Sequence, residues 1–196
     1  MAIPSLESSE REAALNEQEL DLDVIYRQHA ADVSRWVRRL AGERDTDDIL
    51  HEVFLVAQRR LAQFRGECAL RTWLYAITVR VVTGRRRKER LRRLLWRRAE
   101  PEIQDELEPR STPQADAERK QAARMVYQVL DHLSERDRTL LIAFELEGMN
   151  TVQVAEVLGI PVKNVSVAMF RARARFRVAF ERQFGSEQGV LHGQNA

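Results

Sequence analysis

The chain has 196 residues, 44% of them hydrophobic, which suffices for one or two small cores. Its 32 basic and 30 acidic residues nearly cancel, but they are unevenly placed. Acids dominate the first 23 residues, whereas nearly every charged side chain in residues 80–98 is basic. A basic stripe concentrates polyanions, so nucleic acid is the first expected partner and an anionic membrane surface the second.

Several classes of protein and site are not expected. No apolar run approaches the roughly 20 residues of a membrane-spanning helix, and acids occupy the N-terminus where a signal peptide would be apolar. We therefore expect a cytoplasmic protein with no direct membrane insertion. One cysteine cannot form an internal disulfide and the four histidines lack metal-ligand spacing, so we expect no cofactor, no metal and no redox centre. These residues are Cys68, His29, His51, His132 and His192.

Three amphipathic helices are predicted in the first half of the chain, because apolar residues recur there at helical spacing. The first ends near Gly42, and the second begins after Asp45 or Thr46, either of which could cap it. The third follows a break at residues 65–67 and continues into the basic stripe. Their apolar faces can bury one another as one domain. These faces are Val33, Trp36, Val37 and Leu40, then Leu50, Phe54, Ala57, Leu61 and Phe64, then Leu70, Leu74, Ile77 and Val81.

A composition change separates this domain from a second one. Prolines and acids replace large apolar residues between about 99 and 118, which predicts a flexible acidic linker. Helical spacing then resumes, Ser134 and Asp137 resemble a capping arrangement, and Gly148 is expected to end the helix that follows. The predicted fold is all-α, with two small helical domains joined by a flexible linker. The segments are a polar acidic tail at 1–22, a domain at 23–96, the linker at 97–118, a domain at 119–184 and a tail at 185–196.

The segment at residues 151–165 is typical of a helix-turn-helix. Gly159 can adopt the positive-φ turn, and small Ala155 permits a close crossing of the two helices. The inward face of the second helix is predicted to be Val165, Met169, Ala172, Phe176 and Phe180. The side chains left for a DNA major groove are Lys163, Asn164, Ser166, Val167, Phe170 and Arg171, with Arg173, Arg175 and Arg177 for phosphates. A plain helical hairpin with a solvated basic face is the alternative.

Ordered motifs in both domains carry a resemblance to a known family. In the first domain they are the stretches at 25–29, 47–54, 64–67 and 70–77, which read IYRQH, DDILHEVF, FRGE and LRTWLYAI. In the second they are LSERDR at 133–138 and the helix-turn-helix. In order and spacing the chain resembles the extracytoplasmic-function (ECF) class of bacterial sigma factors. The resemblance covers residues 24–93 and 127–180.

The resemblance implies a sigma factor and not an enzyme. Such a subunit binds core RNA polymerase, recognises the minus-ten and minus-thirty-five promoter elements and initiates transcription of a specialised, stress- or signal-responsive regulon. Residues 23–96 would be sigma region 2 and residues 119–184 sigma region 4. The implied partners are the polymerase clamp helices and flap, duplex promoter DNA, the melted non-template strand and an anti-sigma factor. The linker would let the domains pack together when sequestered and separate on the polymerase.

Three sets of site residues follow from the resemblance. The acidic second helix would dock on the clamp through charge-assisted contacts. The third helix would hold melted bases and phosphates near the minus-ten element. The polymerase-binding residues are Asp47, Asp48, His51, Glu52 and Val53. The minus-ten residues are Arg65, Arg71, Trp73, Tyr75, Arg80, Arg85, Arg86 and Arg87. The minus-thirty-five residues are Thr151, Lys163, Asn164, Ser166, Val167, Phe170, Arg171, Arg173 and Arg175.

Three positions depart from the family pattern. His51 stands where glutamine is usual, which would retune the polymerase contact. Gly84 interrupts the third helix, where glycine costs roughly 1 kcal/mol relative to alanine and favours a kink. Residues 166–168 replace a stretch that usually bears lysine or arginine, which puts the minus-thirty-five sequence preference in doubt.

Other functions remain as alternatives. A helix-turn-helix regulator acting without polymerase would dimerise and bind duplex DNA alone. An interaction or membrane-surface protein would use the basic stripe with its apolar residues Leu91, Leu94, Leu95 and Trp96. An enzyme is the weakest alternative, because no nucleophile, phosphate loop or metal cluster is evident.

Overall fold

The computed structural model of the chain describes residues 21–42, 45–95 and 115–191, with side chains from 121 to 185 in the last range. Within these ranges it contains seven α-helices and one π-helical turn. They are α1 Leu22–Ala41, α2 Thr46–Leu61, α3 Leu70–Leu95, α4 Ala115–Asp131, α5 Glu135–Leu141 with the π-helical turn Ile142–Leu146, α6 Thr151–Leu158 and α7 Val162–Leu191. The predicted all-α class with a helix-turn-helix is confirmed.

Helices α1, α2 and α3 pack together as the N-terminal domain. Trp36 of α1 is fully buried, and its ring meets that of Tyr75 on α3 edge-on with centroids 5.1 Å apart. This geometry suits the charge distribution of aromatic rings. Most of the predicted apolar positions meet there, but α2 turns Ile49 and Val53 inward beside Phe54 and Ala57, and the predicted Leu50, Leu61 and Phe64 are only partly buried. The buried residues of this core include Val33, Val37, Leu40, Ile49, Val53, Phe54, Ala57, Leu74 and Ile77.

Helix α3 continues through Gly84 without a break. The position is exposed, and an added Cβ would meet nothing within 4 Å. The long helix therefore tolerates the glycine, and it is not interrupted at this position.

Helix α2 begins at Thr46, directly after Asp45 as predicted, but Asp45 does not cap it. Asp45 precedes the helix, but its backbone is left-handed with φ 56°, and its side chain makes no capping hydrogen bond. An N-cap side chain needs an extended backbone to reach the first amides, so Asp45 cannot serve in this conformation. Asp47 and Asp48 in the first turn supply the negative charge that the helix start favours.

Helices α4 to α7 form the C-terminal domain, and its caps follow the sequence closely. The Ser134 hydroxyl accepts a hydrogen bond from the Asp137 backbone amide at 3.1 Å, which confirms the predicted cap of α5. Gly148 has φ +65° after the π-helical turn, in agreement with its predicted stop. Asn150 caps α6 reciprocally with Gln153, and Gly159 ends α6 with φ 63° and ψ 40°.

Two helices extend past the predicted limits of the linker and of the C-terminal tail. Helix α4 begins at Ala115, inside the segment predicted as linker, because the alanine- and acid-rich sequence after Pro113 favours a helix start. Helix α7 runs to Leu191, beyond the predicted tail boundary at 184, although glycines stand at 185 and 189 within it. Residues 1–20 of the predicted tail, 97–114 of the linker and 192–196 lie outside the described residues.

The two domains pack against each other, with α6 lying on α3. Residues 74–79 of α3 are all buried, which is unusual for a helix of a small three-helix domain. A helix that is covered all round must have partners on more than one side. Helices α1 and α2 cover one side of α3, and the C-terminal domain covers another.

We predict opposite effects of alanine at two glycines. Gly84→Ala should raise the free energy of unfolding by about 1 kcal/mol, because alanine is the better helix former and the site is open. Gly159→Ala should lower it by about 1–2 kcal/mol, because a side chain is strained at φ +63°. Urea denaturation followed by circular dichroism measures both changes. Shifts of the same sign in the two variants would contradict the backbone assignment.

Candidate nucleic-acid interface

Helix α7 presents the most open candidate surface. Val165, Met169 and Ala172 are buried against the rest of the domain, as predicted, and Phe176 and Phe180 are partly buried. The opposite face points to solvent, and Phe170 is 75% exposed there. The exposed predicted residues are Lys163, Asn164, Ser166, Val167, Phe170 and Arg171. Thr151 is half-buried at the first turn of α6.

Two arginines of α7 have carboxylate partners within their own domain. Arg173 donates from Nε to Glu145 at 2.8 Å, and its guanidinium lies over the Phe144 ring. Arg175 donates to both oxygens of Asp137 at 2.9 and 3.0 Å. Both arginine side chains stay more than half exposed, so they remain accessible to phosphates.

The predicted polymerase-binding residues divide into surface and core. Asp47, Asp48 and His51 are exposed on α2. Glu52 is half-buried and accepts from Arg85 Nε at 2.5 Å. The prediction that Val53 contacts the polymerase is corrected. Its side chain is 0% exposed, because it lies on the face of α2 that packs into the domain core.

Near the start of α3 a shallow cleft surrounds Trp73. Its ring packs on Phe64 with centroids 5.1 Å apart, and Arg65, Glu67 and Cys68 also line the cleft. Arg65 is exposed, as are Arg80 and Arg87 further along the chain. Trp73 is therefore both a packing residue and a wall of an accessible cleft.

Tyr75 is also corrected, because it cannot contact DNA in this arrangement. It is 0% exposed, and its hydroxyl has no hydrogen-bond partner among the described residues. Burial, and after it the charge of Glu147, raise the pKa of Tyr75. The ring belongs to the core between the domains.

Arg71 and Arg86 are engaged by carboxylates. Arg71 donates to Asp32 at 3.2 Å and stacks over the Trp36 ring at 5.1 Å. Burial acts to raise the pKa of Asp32, but Arg35 and Arg71 outweigh it, so the pKa lies below its ordinary value. Arg86 pairs with Asp131 and Glu135 of the C-terminal domain at 3.2 and 3.0 Å.

Sequence reasoning missed Glu147, which has the most enclosed carboxylate of these ion pairs. Its side chain is 2% exposed and accepts from Trp36 Nε1 at 2.8 Å and from Arg39 at 2.5 Å. These partners are more than 100 positions away in the chain. Its one local signal is its place directly before Gly148, which does not identify a partner.

Within the described ranges, no group of three or more His, Cys, Asp or Glu side chains could hold a metal ion. No single helix in the described part of the chain has the length and apolar character to cross a membrane. The bent pair Thr151–Leu158 and Val162–Gly185 together has the length and composition of a membrane span, but by those two criteria only.

Comparison with known families assigns both domains. A family model for sigma-70 region 2 matches residues 25–92, and one for sigma-70 region 4 matches residues 123–176. The chain is 31% identical over 153 residues to the ECF RNA polymerase sigma-E factor of Haemophilus influenzae. This match covers 72% of this chain and 81% of the relative. It is 30% identical over 165 residues to the protein of that name in Escherichia coli K12, covering 81% and 84%.

Two solved structures share the fold. One is the sigma factor RpoE in complex with the anti-sigma factor NepR from Bartonella quintana, with a TM-score of 0.65 and 16% identity over 82% of this chain and 97% of that chain. The other is CnrH in complex with the cytosolic domain of CnrY, with a TM-score of 0.56 and 23% identity over 87% and 94%. The family models of sigma-70 regions 2 and 4 both match, and the two sigma-E relatives are covered over most of their length at 30% identity or more. The chain therefore belongs to the ECF sigma factors, the polymerase-binding subunits that act in transcription initiation.

Proposed function

We propose that this sigma factor docks on core RNA polymerase through α2, holds the melted minus-ten strand along α3 and recognises the minus-thirty-five element with α7. It thereby initiates transcription of a specialised, signal-responsive regulon in the cytoplasm. The observation that carries the proposal is the two-sided character of α7, with a buried apolar face and an opposite exposed face that bears Asn164, Phe170 and Arg171.

The exposed face of α7 has the chemistry of a major-groove reader. An asparagine can form two hydrogen bonds with an adenine base, and an arginine can donate hydrogen bonds to a guanine base or a phosphate. Apolar side chains contact the thymine methyl group. Val167 and Phe170 are 51% and 75% exposed, and burial within this chain does not account for them. Arg173 and Arg175 flank them as candidates for the phosphate backbone.

The acidic start of α2 supports the docking proposal. Asp47 and Asp48 are exposed at the N-terminal end of the helix, and His51 lies one turn further. Carboxylates fixed on a rigid helix give orientation-specific contacts with arginines. Val53 supports this surface from beneath.

For the minus-ten strand, α3 and the loop before it provide cations and an aromatic wall. Arg65, Arg80 and Arg87 are exposed, and Trp73 lines the cleft beside Cys68. Stacking on an aromatic side chain is worth about 1–3 kcal/mol per base, which helps to trap a melted strand. We also propose an anti-sigma factor as a partner, in view of the complexes in which the two similar folds were solved.

Run-off transcription tests the function directly. Bacterial core polymerase should produce promoter-specific transcripts from source-genome promoters only when the purified chain is added. Binding of the chain to duplex DNA without core binding and without transcripts would contradict the proposal and favour a regulator that acts alone.

Two substitutions should separate the two surfaces. Asp48→Lys should weaken core binding by about tenfold or more, because it places a cation against the proposed basic partner. Arg171→Ala should leave core binding unchanged and cost about 1–3 kcal/mol in minus-thirty-five duplex binding. Fluorescence anisotropy with labelled core and labelled duplex measures both. Each variant is the control for the other, and equal losses in both assays would contradict the assignment.

A further inference from the structure

A groove of about 1350 Å³ lies between the start of α5 and the middle of α7. Its lining residues include four exposed arginines, Arg136, Arg171, Arg175 and Arg182, and one acid, Asp137. Such an excess of cations attracts a polyanion, and Arg171 belongs to the proposed minus-thirty-five surface. A carboxylate beside DNA phosphates opposes binding, so Asp137 is out of place in this groove unless it acts on another group.

The Asp137 carboxylate is fixed by Ser134 and in turn holds Arg175. The Ser134 hydroxyl donates to Oδ2 of Asp137 at 2.8 Å and accepts from the Asp137 backbone amide at 3.1 Å. Arg175 Nη1 donates to Oδ1 at 2.9 Å and to Oδ2 at 3.0 Å. The Asp137 side chain is 11% exposed and that of Arg175 is 57% exposed. The acid is therefore largely hidden, while the guanidinium that it holds stays accessible in the groove.

The way Arg175 is held leaves part of its guanidinium for a second anion. Both hydrogen bonds to Asp137 come from Nη1, so this carboxylate does not take up Nε and Nη2. An arginine has five N–H donors in a planar fork, which lets it pair with a carboxylate and a phosphate at the same time. A long side chain that is already fixed loses less conformational freedom when it binds.

Arg173, two positions earlier on α7, is held in a different way. Its Nε and Nη2 both donate to Oε1 of Glu145, at 2.8 and 2.6 Å. The Glu145 side chain is 43% exposed, and an ion pair so open to water fixes its partners only weakly. The Asp137 carboxylate differs from it in being nearly buried and in having the Ser134 hydroxyl as a second partner.

We infer that Asp137 is a positioning residue for DNA binding, which fixes the Arg175 guanidinium in the groove with Nε and Nη2 left for a backbone phosphate of the minus-thirty-five duplex. The role rests on the proposed function, because the same surface of α7 is proposed to read that element. Asp137 acts through Arg175 and contacts no DNA itself. Its charge opposes DNA binding, but the fixed position of Arg175 outweighs this effect.

Asp137→Asn tests the role, because it removes the charge and keeps the size of the side chain. Binding of a fluorescein-labelled duplex, measured by fluorescence anisotropy, should weaken about threefold to tenfold, since Arg175 must then be immobilised on binding. This loss is expected although the protein has gained positive charge. Unchanged or tighter binding by the folded variant would mean that the carboxylate only repels phosphates, and it would overturn the inference.

The effect of Asp137 must also pass through Arg175. In an Arg175→Gln background, Asp137→Asn should cause no further weakening, because the group that Asp137 positions is already gone. Equal weakening in the wild-type and Arg175→Gln backgrounds would show that Asp137 only supports the fold, and it would contradict the positioning role.

Glu145→Gln is the matched control, because it also removes a carboxylate from an arginine of α7. Since that pair is open to water, duplex binding should not weaken by more than about twofold. Circular dichroism and cooperative urea unfolding show that each variant is folded.

Arg175→Lys is a second variant that leaves Asp137 in place, and it decides the matter if Asp137→Asn does not fold. Lysine keeps the charge but lacks the planar fork, so duplex binding should still weaken about threefold. Binding equal to that of the wild type would contradict the inference, because any cation at this position would then suffice.

Two duplexes separate this inference from the proposed function. One carries the minus-thirty-five element of a promoter that is active in run-off transcription, and the other has an unrelated sequence, since phosphate contacts do not depend on base sequence. If promoter-specific transcripts form but Asp137→Asn weakens binding of neither duplex, the positioning role fails and the proposed function stands. If the unrelated duplex shows the Arg175-dependent loss but no core-dependent transcript forms, the proposed function fails. Asp137 then positions Arg175 for duplex DNA outside initiation.

Discussion

A nearly buried carboxylate, that of Glu147, lies at the junction of the two domains and constrains how their described residues can pack. Glu147 has its donors on the other domain, so its hydrogen bonds exist only while the domains are together. Burial of a charge is tolerated where the pairing is good, and it penalises arrangements that leave the charge unpaired. The same contact buries Trp36 and Tyr75, and it explains why residues 74–79 of α3 are enclosed all round.

The contact between the domains covers part of one proposed interface and leaves the other two open. The exposed face of α7 and the acidic start of α2 lie outside the domain contact, whereas Arg71 and Arg86 lie within it. The proposed docking and minus-thirty-five surfaces are therefore accessible while the domains are together, whereas Arg71 and Arg86 of the proposed minus-ten surface are engaged by carboxylates.

Local chemistry made much of the fold predictable. Helical periodicity identified most of the core face of α1, α3 and α7 but only part of that of α2. Ser134 and Gly148 marked ends that the structure confirms, and Gly159 marked the turn before α7. Val53 and Tyr75 were predicted as contact residues from family position, although Val53 lies four residues before the predicted core residue Ala57, on the same face of the helix. Tyr75 adjoins core residue Leu74 on a helix that is covered on two sides, so its burial depends on the second domain. The Glu147 contact joins distant positions, which no local pattern indicates.

The distance between the two domains tests the central claim most directly. Spin labels on exposed sites of α2 and α7 would give its distribution by double electron–electron resonance, free and bound to core polymerase. For the free protein a single short distance is expected, because buried apolar residues and the ion pairs of Glu147 hold the two domains together. On the polymerase it predicts a longer distance. The same distribution in the free and the bound protein would contradict it.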